Sequence, residues 1–177
     1  MQAINISFRK LCRTDFFLLF NWLQQPHVKQ WWDPDTQWTL KLVQEKYKSY
    51  VNGYKLVNGE LKSIWAYVIY ADEIPVGYIQ VYNVYDFPRR KALINLLQSL
   101  AAIDIYIGEK EYTGRGLASV ILKSFFEHIL DRQYKFVFVD PNTDNIQAIR
   151  AYEKIGFEKV GEHADTSETW MLYENKH

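Results

Sequence analysis

With 177 residues and 21.1 kDa, the chain has room for one domain. A domain of that size buries about 70% of its unfolded surface without disulfides or metals. Lys and Arg number 21, as do Asp and Glu, so the formal net charge is zero. No basic field draws nucleic acid or an anionic membrane. The one cysteine, Cys12, excludes an internal disulfide, and no Cys/His cluster has zinc spacing, so no metal is expected. No apolar h-region follows the start and no run of about 18 apolar residues occurs, which makes the cytoplasm the expected compartment. The unusual figure is 16% aromatic content, from 6 Trp, 13 Tyr and 10 Phe.

In chain order, alternation of Ile6 and Phe8 with polar neighbours predicts a strand over 4–11. Thr14 is the expected cap of a helix running to about 24, with Phe17, Leu18 and 20–23 as its apolar stripe. Thr39 is the expected cap of a second helix to about 50, carrying Leu40, Val43, Tyr47 and Tyr50 at helical spacing. Asn52-Gly53 and Asn58-Gly59 are turn signals that open a strand section. Strands are predicted over 65–70 and 76–85, joined by a turn at 72–75. A loop with a short helix across 91–100 follows, then a strand over 101–107. A helix over 117–130 presents Leu117, Val120, Ile121 and Phe125, and 136–139 is a short buried strand. The helix over 145–155 stops at Gly156, a C-terminal glycine. Strands over 157–160 and 169–172 close the chain. The order mixes hairpins with crossovers, which predicts an α/β (α+β) fold around one mixed sheet. Phe17, Phe20, Phe125 and Phe136 are expected in the core.

Residues 101–118, AAIDIYIGEKEYTGRGLA, run from a strand through a two-glycine loop into a helix. Gly114 and Gly116 let the backbone approach a ligand, and unpaired N–H groups at the helix start favour phosphate. The dinucleotide fingerprint fails, because Ser119 stands at its third glycine, and the Walker loop lacks Gly-Lys-Ser/Thr. A phosphate-bearing cofactor on another strand–loop–helix remains. In 139–157, VDPNTDNIQAIRAYEKIGF, the spacing of Asp140, Asn142 and Asp144 imitates a calcium loop. Asn145 at its sixth position and Ala151 at its twelfth reject it.

Together the two stretches resemble the GNAT superfamily of acyl-CoA-dependent N-acetyltransferases. Its Gln/Arg-x-x-Gly-x-Gly/Ala loop is matched by residues 111–118, with Glu111 departing from the usual Gln or Arg. Its Asn-x-x-Ala-x-x-x-Tyr-x-Lys-x-Gly-Phe signature is matched by Asn145, Ala148, Tyr152, Lys154, Gly156 and Phe157. The spacing puts Asn145, Ala148 and Tyr152 on one helix face. The resemblance implies a single acyl-CoA N-acyltransferase domain over 1–177. It implies a twisted, mostly antiparallel sheet of about seven strands flanked by about four helices, with acetyl-CoA as co-substrate. The implied cofactor contacts are Ile105, Tyr106, Ile107, Tyr112, Thr113, Gly114, Arg115, Gly116, Leu117, Ala118, Asn145, Ala148 and Tyr152.

Acetyl transfer to an amine needs a neutral nucleophile, a polarised carbonyl and a proton for the departing thiolate. Asp104 lies mid-strand, opposite in face to Ile103 and Ile105, where a carboxylate is costly unless hydrogen-bonded or functional. It is the expected base or ammonium anchor, and Tyr152 the expected acid. Within the superfamily the chain is similar to the aminoglycoside 6'-N-acetyltransferase branch, through PHVKQWW, PVGYIQVY, AAID and 139–157. That similarity implies Trp31 or Trp32, Tyr47, Gln80, Asp104 and Asp140 as acceptor contacts. Tyr82 joins them as an aromatic face suited to a cationic sugar. In contrast to that branch, 86–100 carries Arg89, Arg90 and Lys91 against one acid. This implies a less cationic acceptor, or carboxylates from elsewhere, with Asp33, Asp35, Asp165 and Glu168 available. Siderophore-precursor (hydroxylysine) acyltransferases share the Trp-rich PHV segment, although they use a His where this chain has Asp104. His27 is expected on a loop. Polyamine and protein N-terminal acetylation are further alternatives, and a non-catalytic aromatic-groove binding module is the alternative of another class. The expected partner is a small-molecule amine, with neither nucleic acid nor membrane, for a monomer or homodimer.

Overall fold

The structure is a computed structural model and describes residues 4–87, 99–130, 132–163 and 167–175. The elements in order are β1 (Ile6–Lys10), α1 (Phe16–Leu23), α2 (Pro26–Lys29), α3 (Leu40–Tyr47), β2 (Tyr54–Val57), β3 (Glu60–Ala71), β4 (Ile74–Asn83) and β5 (Leu100–Ile107). After them come α4 (Leu117–His128), β6 (Phe136–Val139), α5 (Ile146–Ile155), β7 (Glu158–His163) and β8 (Glu168–Glu174). The sheet order is β1-β3-β4-β5-β6-β8-β7, with β2 on β3. Every pairing is antiparallel except β5 with β6. The expected α/β class with a mixed sheet is therefore met, at eight strands and five helices among the described residues.

Alternation of side chains along the strands divides the apolar residues between two layers. One face packs Ile79, Val81, Ile103 and Val137 against α4 and α5, centred on Phe125. The other packs Ile64, Ala66, Val68, Tyr78 and Tyr106 against α1, α2 and α3. This second layer takes up much of the aromatic excess: Trp32 meets Tyr106 edge-on at 4.8 Å, and Tyr47 meets Tyr78 at 5.6 Å. Edge-to-face contacts of this kind add about 1 kcal/mol each beyond burial.

Thr39 caps α3 as expected, its hydroxyl accepting the Leu42 N–H at 3.1 Å. Thr14 does not cap α1. It lies in a 3-10 turn, Arg13–Asp15, and α1 begins at Phe16 behind Asp15. The carboxylate of buried Asp15 instead accepts the Cys12 N–H at 2.8 Å and a two-pronged contact from Arg9, at 2.7 and 3.2 Å. Two apolar assignments also change. Phe17 is 61% exposed and Val120 is 48% exposed, because a helix on a sheet buries only one stripe and both lie outside it. Phe125 is fully buried, whereas Phe20 and Phe136 are half-buried. Of the helix expected across 91–100, residues 91–98 lie outside the described residues, as do the Arg89-Arg90-Lys91 cluster and Asp165, and its last residue, Leu100, instead opens β5. Among the described residues no helix is long and apolar enough to cross a membrane.

Burial alone would raise the Asp15 carboxyl, but Arg9 and Cys12 outweigh it and hold it below the ordinary carboxylate value. A depressed folded pKa contributes stability that is present above the unfolded value and lost as pH falls through the folded one. Asp15→Asn is therefore expected to cost about 2 kcal/mol at neutral pH, with the gap to the parent closing below about pH 4. Urea unfolding at the two pH values checks this; a gap that persists in acid would remove the carboxylate as its source.

Candidate active site

The main cleft among the described residues is created by one short pairing. β5 and β6 run parallel and pair only over 100–102 with 136–138. β6 then ends at Val139, while β5 continues to Ile107. The two strands splay, and a cleft of about 480 Å³ opens between β5, the start of α4, the 139–142 segment and α5. Gly108 N–H donates to Val76 O on β4 at 2.8 Å. Strand alternation then turns the N–H and C=O groups of Ile105 and Ile107 away from β4 and into the splay. His27 reaches one of them, its Nε2 lying 3.1 Å from Ile107 O.

At the rim, Gly116 is the N-cap of α4 with φ +76°, and Gly114 has φ +72°. Non-glycine residues pay to enter this left-handed region, so the glycines permit the loop to expose the first α4 N–H groups to the cleft. Thr113, Gly114, Gly116, Leu117 and Ala118 all line it. Ser119 ties α4 to α5 by donating to Ala151 O at 3.2 Å. Lys154 lines the same rim, near Gly116. Asn145 caps α5 by accepting the Ala148 N–H at 3.1 Å, and Asn145, Ala148 and Tyr152 reach the cleft from one helix face. Tyr112 packs on the α4–α5 layer, and Arg115 is exposed; neither lines the cleft.

Asp104 stands on β5 directly opposite Gln80 on β4. Gln80 Nε2 donates to Asp104 Oδ2 at 2.6 Å, and Tyr78 OH donates to Gln80 Oε1 at 2.8 Å. Both ends of the Gln80 amide are thereby used, which fixes the carboxylate and turns Gln80 into its support. Across the cleft, Tyr152 is buried against Phe157. Burial, with Asp104 and Asp140 adding negative charge, holds its hydroxyl well above the ordinary tyrosine value, so it keeps its proton at neutral pH.

Of the residues expected at the acceptor, Trp31, Trp32, Asp104 and Asp140 line the cleft. Tyr47, Gln80 and Tyr82 do not. Tyr47 is fully buried, because the α3 stripe that carries it is the one packed on the sheet. Tyr82 packs edge-on to Phe87 at 4.6 Å. His27 is on α2 and half-buried. Sequence reasoning missed His27, Ser119 and Lys154 as cleft residues; only Lys154 carried a signal, as the lysine of the 145–157 signature. Among the described residues no group of His, Cys, Asp and Glu converges to hold a metal ion.

A splayed parallel pair, a helix start with unpaired N–H groups, and a carboxylate and a protonated tyrosine lining one cleft suit an enzyme that transfers an acyl group from a phosphate-tailed thioester. Residues 12–165 match the family model of the acetyltransferase (GNAT) domain. The chain belongs to that family and is an acetyl-CoA-dependent N-acetyltransferase, which sets the non-catalytic alternative aside. Aminoglycoside N(6')-acetyltransferase type 1 of Klebsiella pneumoniae is 26% identical over 159 residues, 89% of this chain and 76% of that protein. The solved aminoglycoside acetyltransferase AAC(6')-Ib in complex with coenzyme A superposes with a TM-score of 0.81 at 25% identity, covering 96% of this chain and 95% of that one. The fold is shared more widely. Spermidine N-acetyltransferase from Vibrio cholerae, in complex with CoA and spermine, has a TM-score of 0.72 at 16% identity over 96% of this chain and 95% of its own.

Proposed function

We propose that the chain acetylates a primary amine of a small molecule by direct transfer, with Asp104 and Tyr152 as the acid–base pair. The observation that carries this is the Tyr78–Gln80–Asp104 relay, which presents one fixed carboxylate to the cleft that Tyr152 also lines. Acetyl-CoA supplies the activated thioester. The glycine loop and the N–H groups at the start of α4 suit its pyrophosphate, and the outward N–H groups of Ile105 and Ile107 suit its pantetheine arm. Tyr106, Asn145 and Ala148 complete that wall. Asp104 holds the acceptor ammonium and takes its proton, leaving the neutral amine that can attack. Tyr152 holds a proton at its hydroxyl, in the form that can protonate a departing thiolate.

The relatives point to an aminoglycoside 6'-amine as the first acceptor to assay, with Trp31, Trp32 and Asp140 beside it. Free thiol released from acetyl-CoA with kanamycin, and the acetyl group found on the 6' nitrogen by NMR of the product, would support that acceptor. Release with simple alkylamines but not with kanamycin would remove the aminoglycoside assignment and keep amine transfer.

A further inference from the structure

The face of the sheet that carries Asp104 also carries a lysine that has no ion pair among the described residues. Lys55 on β2 lies directly across from Lys62 on β3. Like charges so placed repel, and Lys62 is relieved by Glu60 at 2.7 Å and Asp86 at 3.7 Å. Lys55 has no ion pair among the described residues. Its Nζ lies 5.5 Å over the Phe87 ring, and Phe87 packs on Tyr82, two residues along β4 from Gln80. Asp104 and Asp33 are near enough to act on its charge, and Lys46 opposes them. Lys46 is already paired, at 2.7 Å from Asp33. Burial and Lys46 lower the Lys55 pKa from its ordinary value, which is the mark of an ammonium in want of an anion.

The aromatic layer on this face holds a further donor. The indole N–H of Trp38 is buried without a hydrogen-bond partner among the described residues, while the indole N–H of Trp32 lies within hydrogen-bonding reach of the Tyr47 hydroxyl. Their ring layer adjoins the relay: Tyr47 and Trp32 both pack on Tyr78. A second ammonium group on the acceptor would meet Lys55 as a like charge. A carboxylate would meet it as a counter-ion.

We infer that the acceptor is an amine that also carries a carboxylate, its ammonium at Asp104 and its carboxylate at Lys55. This rests on Asp104 as the amine anchor, and it makes the opposite demand on Lys55 from a polycationic ring.

The test is a graded series of ω-aminoalkanoates, each assayed beside the amide and the diamine of the same length, with kanamycin alongside. The best aminoalkanoate should exceed its diamine about tenfold or more in kcat/KM, as expected for a charge-assisted contact. K55Q should level that preference and K55E should invert it. With CoA present, the aminoalkanoate should also raise the unfolding temperature of the parent and not of K55E. Turnover of diamine or kanamycin at or above the aminoalkanoate rate overturns the anion site and leaves amine transfer standing. No thiol release from any of these acceptors overturns amine transfer and the anion site together.

Discussion

Asp104→Asn is expected to lower kcat/KM by about a hundredfold or more, with the unfolding midpoint nearly unchanged. The magnitude is that of a positioned acid–base group. The fold should survive because an asparagine oxygen can still accept the Gln80 Nε2 that Asp104 Oδ2 accepts at 2.6 Å. The split of the loss is informative. A carboxylate that removes the ammonium proton shows its loss in kcat, and one that only anchors the amine shows it in KM. Tyr152→Phe, which keeps the packing on Phe157, should in contrast slow turnover and leave acceptor KM alone. An unchanged rate in the Asn variant would remove Asp104 from the chemistry and leave its hydrogen bond with Gln80 as a structural polar pair.

Gly116→Val should raise the dissociation constant for CoA about a hundredfold while lowering the melting temperature by only a few degrees. A β-branched residue at φ +76° pays roughly 1–2 kcal/mol in strain, and its Cβ would stand 3.7 Å from Lys154 Nζ. Relief of that strain reorients the loop and takes the first α4 N–H groups out of line, which is where the affinity is lost. Gly116→Asn is the control, since asparagine tolerates this backbone region, and it should retain most of the affinity. Titration calorimetry with CoA distinguishes the two. A folded Val variant that binds CoA as the parent does would remove the loop from cofactor binding.

Local elements were legible wherever a short-range rule governed them. Thr39 caps α3, Gly156 closes α5 with φ +103°, and 136–139 forms a strand within the bounds that its apolar run implied. The short α2 was missed, because four residues carry too little periodicity to announce a helix. Phe17 and Val120 were misplaced because helical spacing alone does not say which edge of a stripe meets the sheet. Thr14 failed as a cap because a side chain from the preceding strand competed: Arg9 draws Asp15 into the turn, and Asp15 takes the Cys12 N–H.

The site divides the same way. Glycines at 114 and 116, the face formed by Asn145, Ala148 and Tyr152, and the opposition of Asp104 to Ile103 and Ile105 follow from period and backbone chemistry. They indicated a phosphate-bearing cofactor, and the acyl-CoA-dependent transferase followed only from the resemblance of the two stretches to the GNAT signatures. What the tertiary structure alone decided is pairing across strands. The β4–β5 register sets Gln80 against Asp104 and makes it a support for the carboxylate, and the β2–β3 register sets Lys55 against Lys62. The physical reason is that charge and hydrogen-bonding demand at a site are sums over neighbours far apart in sequence. A net charge of zero therefore held no hint that Lys55, on the same sheet face as the relay, has no ion pair among the described residues.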